Sequence, residues 1–184
     1  LCVQGNTTVV GSDLVQSSCT TSISAGNYVS GLCYQGSVSI LGSDLVQDVC
    51  TTSLSGGSYV SALCVQGSAS VLGSDLEESV CSSSVSSGYY VSSLCNQGST
   101  SELGLDMQTS VCTTVVPSGR YVSSLCVAGS SSSVGNDLVQ QSCTTSLVGG
   151  KYVSALCYAG SSSIVGSDLV QTSCTTSVVS GKYV

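Results

Sequence analysis

The twelve cysteines are spaced alternately 17 and 14 residues apart, so the chain is a 31-residue unit repeated six times. They are Cys2, Cys19, Cys33, Cys50, Cys64, Cys81, Cys95, Cys112, Cys126, Cys143, Cys157 and Cys174. A unit this short cannot enclose a core alone, so it must pack on its neighbours or be held by a crosslink. The spacing therefore predicts one continuous array, with repeats at 1–31, 32–62, 63–93, 94–124, 125–155 and, incomplete, 156–184.

Charge is sparse and mostly negative, which argues against several classes of partner. The net charge is −7, and the only cations are Arg120, Lys151 and Lys182. Nucleic acids require clustered Lys and Arg, so we expect no nucleic-acid partner. The apolar residues come in short runs, far below the roughly 20 residues of a spanning helix, so we expect no membrane span.

The cysteines predict disulfides and an oxidising compartment. The closely spaced pairs of zinc sites are absent from the sequence, and so is histidine, which leaves disulfides as the favoured interpretation over metal ligands or buried free thiols. Two pairing schemes keep every repeat equivalent: Cys2 with Cys19 inside a repeat, or Cys19 with Cys33 across the boundary. The first pairs all twelve cysteines within the sequence, and we expect it over the second.

The residues between the cysteines predict an all-β fold. Segments 28–35, 37–41 and 45–54 are rich in Val, Ile, Tyr and Thr, and Gly or Asp bounds them. The turns are expected at 42–44 and 55–57. Two architectures fit: a β-solenoid with one coil per repeat, or a bead-like array of small antiparallel β units. The strict register favours the solenoid, since an inserted residue would reverse the side-chain faces of stacked strands.

Catalytic chemistry has little basis in this sequence. Without an imidazole there is no Ser-His-Asp or Cys-His arrangement, and Glu77, Glu78 and Glu102 each occur in one repeat only. We therefore expect no enzyme activity, no cofactor and no metal. The aspartates of the Gly-x-Asp turns, such as Asp13, recur in every repeat. Calcium ligands and local Asx-turns are the two interpretations of these aspartates, and the turn is favoured because calcium requires six to eight oxygens.

Serine pairs and one sequon indicate sites for sugar. The serines are Ser37 and Ser39, Ser68 and Ser70, Ser99 and Ser101, Ser130 and Ser132, and Ser161 and Ser163. A spacing of two residues predicts that each pair shares one face of a strand. Asn6-Thr7-Thr8 is an N-glycosylation sequon at the same repeat position. We expect these residues to be possible glycosylation sites.

The Cys-Thr-Thr-Ser run, first seen at 19–22, resembles the hydroxyl rows of disulfide-stapled insect antifreeze solenoids. The likeness covers four residues per repeat, and the run becomes Cys-Ser-Ser-Ser at 81–84.

In general style the whole chain resembles cysteine-stapled extracellular repeat proteins that form fibres, stalks or surface appendages. That resemblance implies a secreted structural protein, a segment of a rigid, self-associating and glycosylated filament. Neither the first nor the last repeat turns polar as a capping repeat does, so we expect the segment to come from a longer array. The alternative is a surface that binds ice, carbohydrate or a host on the same scaffold, with functional amyloid third.

Overall fold

The computed structural model describes residues 1–177, 179, 180 and 183. In that part of the chain the regular structure is all β, with ten strands of four or five residues and no helix. The strands are β1 Asn27–Gly31, β2 Val46–Val49, β3 Ser58–Ala62, β4 Glu77–Val80, β5 Tyr89–Ser93, β6 Gln108–Val111, β7 Arg120–Ser124, β8 Val139–Ser142, β9 Lys151–Ala155 and β10 Val170–Ser173. The prediction of an all-β fold is confirmed. The described residues contain no helix with the length and apolar character needed to cross a membrane.

The strands form five separate antiparallel hairpins: β1–β2, β3–β4, β5–β6, β7–β8 and β9–β10. In the first, Tyr28 lies opposite Asp48 and Val29 opposite Gln47, with a bulge between Val29 and Gly31. Strands of like sequence, such as β1 and β3, belong to different sheets. The predicted solenoid was therefore wrong, because it requires parallel pairing of like strands, and the bead-like array of antiparallel units fits.

A second, smaller hairpin connects the two strands of each sheet. Between β1 and β2, the pairs Tyr34 with Ser43 and Ser37 with Ile40 each exchange two backbone hydrogen bonds. Gly36 has a φ of +71°, and a Cβ there would collide with the backbone of Gly42. A Cβ on Gly42 would collide with the carbonyl of Tyr34, so both positions require glycine. The strand predicted at 37–41 is thus a tight turn, and those at 28–35 and 45–54 are shorter than expected.

Each hairpin and its disulfide include parts of two consecutive sequence repeats. We call each segment that begins at one cysteine and ends with its second strand a module; the modules are 19–49, 50–80, 81–111, 112–142 and 143–173. The chain also divides into two compact units, described separately below: Leu1–Cys81 with Cys95–Asp106, and Ser82–Leu94 with Met107–Val184.

In each of the four modules between residues 19 and 142, the core is only two side chains. In the first unit, Val29 and Val60 are fully buried, and Leu45 and Leu76 are nearly so. In the second unit, Val91 and Val122 are fully buried, and Met107 and Leu138 are nearly so. About 2 kcal/mol per buried side chain cannot offset the ordering of 31 residues, so a module needs further contacts.

Those further contacts join each module to the next through backbone. In the first unit, the N–H of Val29 donates to the carbonyl of Gln66 at 3.0 Å, and the N–H of Gly73 donates to the carbonyl of Val29 at 2.8 Å. Val29 is thereby inserted between the two arms of the small hairpin of the next module. The same paired bonds occur for Val60 in the first unit and for Val91 and Val122 in the second. We call this contact the valine junction.

Candidate functional site

Five disulfides join cysteines that are 14 residues apart: Cys19–Cys33, Cys50–Cys64, Cys81–Cys95, Cys112–Cys126 and Cys143–Cys157. The expected pairing of Cys2 with Cys19 was wrong, and the alternative across the sequence-repeat boundary is present. The reason is the turn before β1: Gly26, with a φ of +79°, reverses the chain and leaves the Cα atoms of Cys19 and Cys33 6.0 Å apart. That separation suits a disulfide.

Cys2 and Cys174 are free and exposed, although both were expected to be paired. With a 14-residue spacing, the partner positions of these two cysteines fall outside residues 1–184. These are the two thiols among the described residues, and they lie at opposite ends of the sequence.

An aspartate next to each of four disulfides fastens the start of the module to the residues before its second strand. Oδ1 of Asp44 accepts the backbone N–H groups of Leu45 and Thr20, each at 2.7 Å, and Oδ2 accepts the hydroxyl of Thr20 at 2.6 Å. The same three bonds link Asp75 to Thr51, Asp137 to Thr113 and Asp168 to Thr144. We call this arrangement the Asp–Thr clamp.

The clamp favours the ionised carboxylate. The hydroxyl of Thr20, followed by its backbone N–H, lowers the pKa of Asp44 below its ordinary value of 3.8. Donors of the matching threonines likewise lower the pKa of Asp75, Asp137 and Asp168. A carboxylate that accepts several hydrogen bonds is stabilised in its charged form.

The favoured Asx-turn interpretation of the aspartates was incomplete. The local bond to Leu45 exists, but the clamp reaches Thr20, which lies 24 residues earlier. The sequence held a signal for it, because a hydroxyl residue follows every first-of-module cysteine, including Ser82 where the other modules have Thr. Calcium ligation gains no support from this geometry: in the group formed by Cys19, Cys33 and Asp44, two members are bridged sulfurs and one is a carboxylate.

A second brace holds the loop between the cysteine and the first strand. Oε1 of Gln47 accepts the N–H of Ser24 at 2.8 Å, and its Nε2 donates to the carbonyl of Ser22 at 2.9 Å. In the next module, Glu78 replaces this glutamine and accepts the N–H of Ser55 at 2.8 Å. Glu78 therefore has a structural partner, which its single occurrence in the sequence did not indicate.

The serine pairs lie in the tight turns of the small hairpins, not on strand faces as expected. In each turn the two hydroxyls are 3.2 or 3.3 Å apart, and the first also accepts the N–H of the second serine. The second serine is exposed in all five turns: Ser39, Ser70, Ser101, Ser132 and Ser163. These five hydroxyls are sterically open to modification.

Asn6 occupies the same turn in the first sequence repeat and is exposed. Its Oδ1 accepts the N–H and the hydroxyl of Thr8 and the N–H of Val9, each at 2.9 Å. An N-linked glycan would attach at Nδ2, which none of these three bonds uses.

The two threonines of the Cys-Thr-Thr-Ser run, which resembles antifreeze hydroxyl rows, have different environments. Its first threonine, Thr20, is tied into the clamp and half-buried, whereas Thr21 is exposed. The run lies outside the strands, so its hydroxyls do not line one face of a sheet.

No family model, no curated protein and no solved structure matches this chain.

Proposed function

We propose that this chain is an extracellular structural protein whose modules dock in series to form a stiff, β-rich filament or surface appendage. The observation that carries the proposal is the valine junction, which recurs four times with the same backbone bonds. A contact that recurs at every module boundary allows the array to lengthen, because each docked module presents the same edge to the next.

Disulfides and clamps support the extracellular part of the proposal. Each module gains one crosslink over a short loop, which contributes about 3 kcal/mol by restricting the unfolded chain. Such crosslinks persist in oxidising compartments and are reduced in the cytosol. The recurrent charged and amide side chains, Asp44 and Gln47 in the first module, serve to hold loops in place.

Exposed apolar side chains at repeated positions favour self-association. Val38, Leu41, Leu72 and Leu103 on the small hairpins of the first unit are between 54% and 81% exposed. Recurring apolar surface of this kind suits lateral contacts between copies. Sugar on the exposed serines and on Asn6 would limit those contacts to uncoated faces, and we include glycosylation in the proposal.

The proposal is tested by electron microscopy of the purified, oxidised protein beside a reduced and alkylated sample. We expect filaments in the oxidised sample and their loss on reduction, because a reduced module retains only a two-residue core. Oxidised protein that stays dispersed at all concentrations would contradict the structural role. Intact-mass measurement of the natural material checks the sugar separately.

The alternative of an ice-binding surface has weaker support, because the clamp uses the first hydroxyl of four of the five Cys-Thr-Thr runs. Thermal hysteresis lost on Thr21→Val and retained on Ser39→Ala would support that alternative over the filament.

A further inference from the structure

The hairpin β7–β8 of the second unit has an open outer edge on β8. The two strands are antiparallel, and the N–H of Cys143 donates to the carbonyl of Gly119 at 2.9 Å just beyond them. Backbone groups along a strand point alternately to its two sides, so Gln141 bonds to β7, whereas Gln140 and Ser142 direct their N–H and carbonyl groups outward. Within the described residues, nothing bonds to these outward groups.

The other edge of the same hairpin is occupied by the valine junction. The N–H of Val122 donates to the carbonyl of Ala159 at 2.9 Å, and the carbonyl of Val122 accepts the N–H of Gly166 at 2.8 Å. Extension of the array therefore uses the β7 edge and leaves the β8 edge for a different contact. An uncovered strand edge is a template for pairing with another strand.

Charge distinguishes the open edges of the two units. In the first unit, β2 carries Asp48, and β4 carries Glu77 and Glu78. In the second unit, β6, β8 and β10 contain no charged residue. Charged side chains on an edge strand hinder edge-to-edge pairing, so the second unit offers the edges that suit another strand. Along the chain, β8 is the middle one of these three uncharged edges.

The total charges of the two units agree with this choice. The first unit contains eight acidic residues and neither Lys nor Arg, whereas the second contains two acidic residues and three cations. Two first units repel each other, but two second units approach with little repulsion. The charge distribution therefore favours a second copy of this chain, through its own second unit, as the partner of the β8 edge.

The sequence of β8 is self-complementary in antiparallel pairing. With Gln141 opposite Gln141 of a second copy, Gln140 of each copy lies opposite Ser142 of the other, and the outward groups form about four N–H···O=C bonds. Oε1 of Gln141 accepts the hydroxyl of Tyr121 at 2.6 Å, and its Nε2 has no acceptor among the described residues, so it can donate to the second copy. The same register on β2 would place two Asp48 carboxylates opposite each other, which is destabilising.

We propose that a second copy of this chain pairs its own β8 with this β8 edge, antiparallel and about a two-fold axis at Gln141, to give a four-stranded sheet. The proposal rests on the proposed filament function and specifies a lateral contact between filaments. An isologous contact closes on itself, so it joins filaments in pairs. The interface is small, and we expect the association to be reversible.

A cysteine at the two-fold position traps this contact. Cys2→Ser and Cys174→Ser remove the free thiols, and Gln141→Cys is added in that background. Opposed residues of a non-hydrogen-bonded antiparallel pair have Cα atoms about 4.5 Å apart, which suits a disulfide. In a glutathione redox buffer, we expect Gln141→Cys to give a linked dimer about tenfold faster than Ser79→Cys, at the same module position on the acidic β4 edge. Equal rates would overturn the proposal.

A neighbouring cysteine tests the register. In the proposed pairing, Ser142 faces Gln140 of the second copy, and the two copies of position 142 lie two residues apart along the paired strands. That separation exceeds the reach of a disulfide, so we expect Ser142→Cys to dimerise slowly. Dimers that form as fast from Ser142→Cys as from Gln141→Cys would overturn the two-fold register.

A proline variant separates strand pairing from chance collision of thiols. Ser142→Pro removes an outward N–H that the β7–β8 hairpin does not use, which is where edge strands tolerate proline. In the Gln141→Cys background, we expect it to lower the yield of linked dimer about tenfold. Val49→Pro removes the equivalent N–H from the acidic β2 edge and is the matched control, expected to leave the yield unchanged. Equal yields from the two proline variants would contradict the pairing.

A charge variant covers the case in which proline disturbs the hairpin. Gln141→Asp gives β8 the residue that β2 carries at this position, Asp48, so the hairpin accommodates it. In the background without free thiols, sedimentation below the concentration of filament formation should show a dimer that Gln141→Asp abolishes. Ser79→Asp adds the same charge to β4 and should retain the dimer. A dimer that persists in Gln141→Asp would overturn the proposal.

The proposed function and this contact fail in different ways, and electron microscopy distinguishes them. Paired filaments from Val49→Pro and single filaments from Ser142→Pro would support both. Filaments that remain paired in Ser142→Pro and in Gln141→Asp would leave the structural role standing and overturn the β8 contact. Dimers linked through Gln141→Cys in a protein that never forms filaments would support the contact and contradict the structural role.

Discussion

Thr51 donates both its backbone N–H and its hydroxyl to the carboxylate of Asp75, at 2.7 Å each, across 24 residues of chain. This pair fastens the first residues of the module to the residues just before its last strand. The nearby Cys50–Cys64 disulfide ties the same region covalently. The clamp and the disulfide therefore close the same region of the module. The hydrogen bonds of the clamp align the segments that the disulfide joins covalently.

Thr51→Val is expected to destabilise the protein by less than about 1 kcal/mol, because one hydrogen bond to a largely solvated carboxylate is lost. Thr51→Ser keeps the hydroxyl and should recover most of that loss. Thr52→Val, at an exposed neighbouring position, is the control and should have little effect. Denaturant unfolding of the oxidised proteins checks the order; equal stability of the Thr51 and Thr52 variants would contradict the clamp.

Acid is expected to weaken the clamps at low pH only. The folded pKa of Asp75 lies below its ordinary value of 3.8, as do those of Asp44, Asp137 and Asp168. A depressed pKa contributes stability that is present above the unfolded pKa and is lost as pH falls through the folded pKa. Melting temperature should therefore be flat near neutral pH and fall below about pH 4. A decline that begins near neutral pH would contradict this assignment.

Val60→Ala is expected to cost about 2 kcal/mol, since it removes fully buried methyl groups at a valine junction. Val80→Ala, whose side chain is 80% exposed on β4, is the matched control and should change stability by less than about 0.5 kcal/mol. Chemical denaturation measures both. Similar losses at the two positions would show that Val60 does not form the module core.

Removal of one disulfide by Cys112→Ser with Cys126→Ser should destabilise the protein by about 3 kcal/mol, given the short loop that it closes. Cys2→Ser removes a free, exposed thiol and should leave stability unchanged. Thermal unfolding under non-reducing conditions compares them. If the two proteins melt alike, the crosslinks are not what stabilises the modules.

The sequence predicts the all-β fold because Val, Tyr, Thr and Gly recur where strands and turns require them. It did not predict the architecture. Repeats without insertions or deletions are expected for parallel coils, but the valine junction requires them too, since Val29 must meet Gln66 and Gly73 at fixed positions in the next module. The preferred cysteine pairing failed for a related reason. Cys2 with Cys19 was preferred because that scheme pairs all twelve cysteines within residues 1–184. In the structure, the turn at Gly26 brings Cys19 to Cys33 instead.

The clamp shows what single-sequence reasoning misses at a site. Asp44 and Thr20 both recur, but each has a sufficient local explanation, a turn for one and strand propensity for the other. Asp44 and Thr20 come into contact only when the module is folded. The serine pairs are the reverse case: their spacing was interpreted as one strand face, but a glycine with positive φ at Gly36 converts that segment into a tight turn.

Hydrogen exchange at the junction valines tests most directly whether modules stabilise one another by docking in series. The measurement uses the oxidised double variant Cys2→Ser, Cys174→Ser at low concentration, so that thiol exchange does not crosslink the molecules. We expect slow exchange at the amides of Val29, Val60, Val91 and Val122, which donate to the next module, and fast exchange at Val153. Equal protection at all five amides, or none at the first four, would contradict the account.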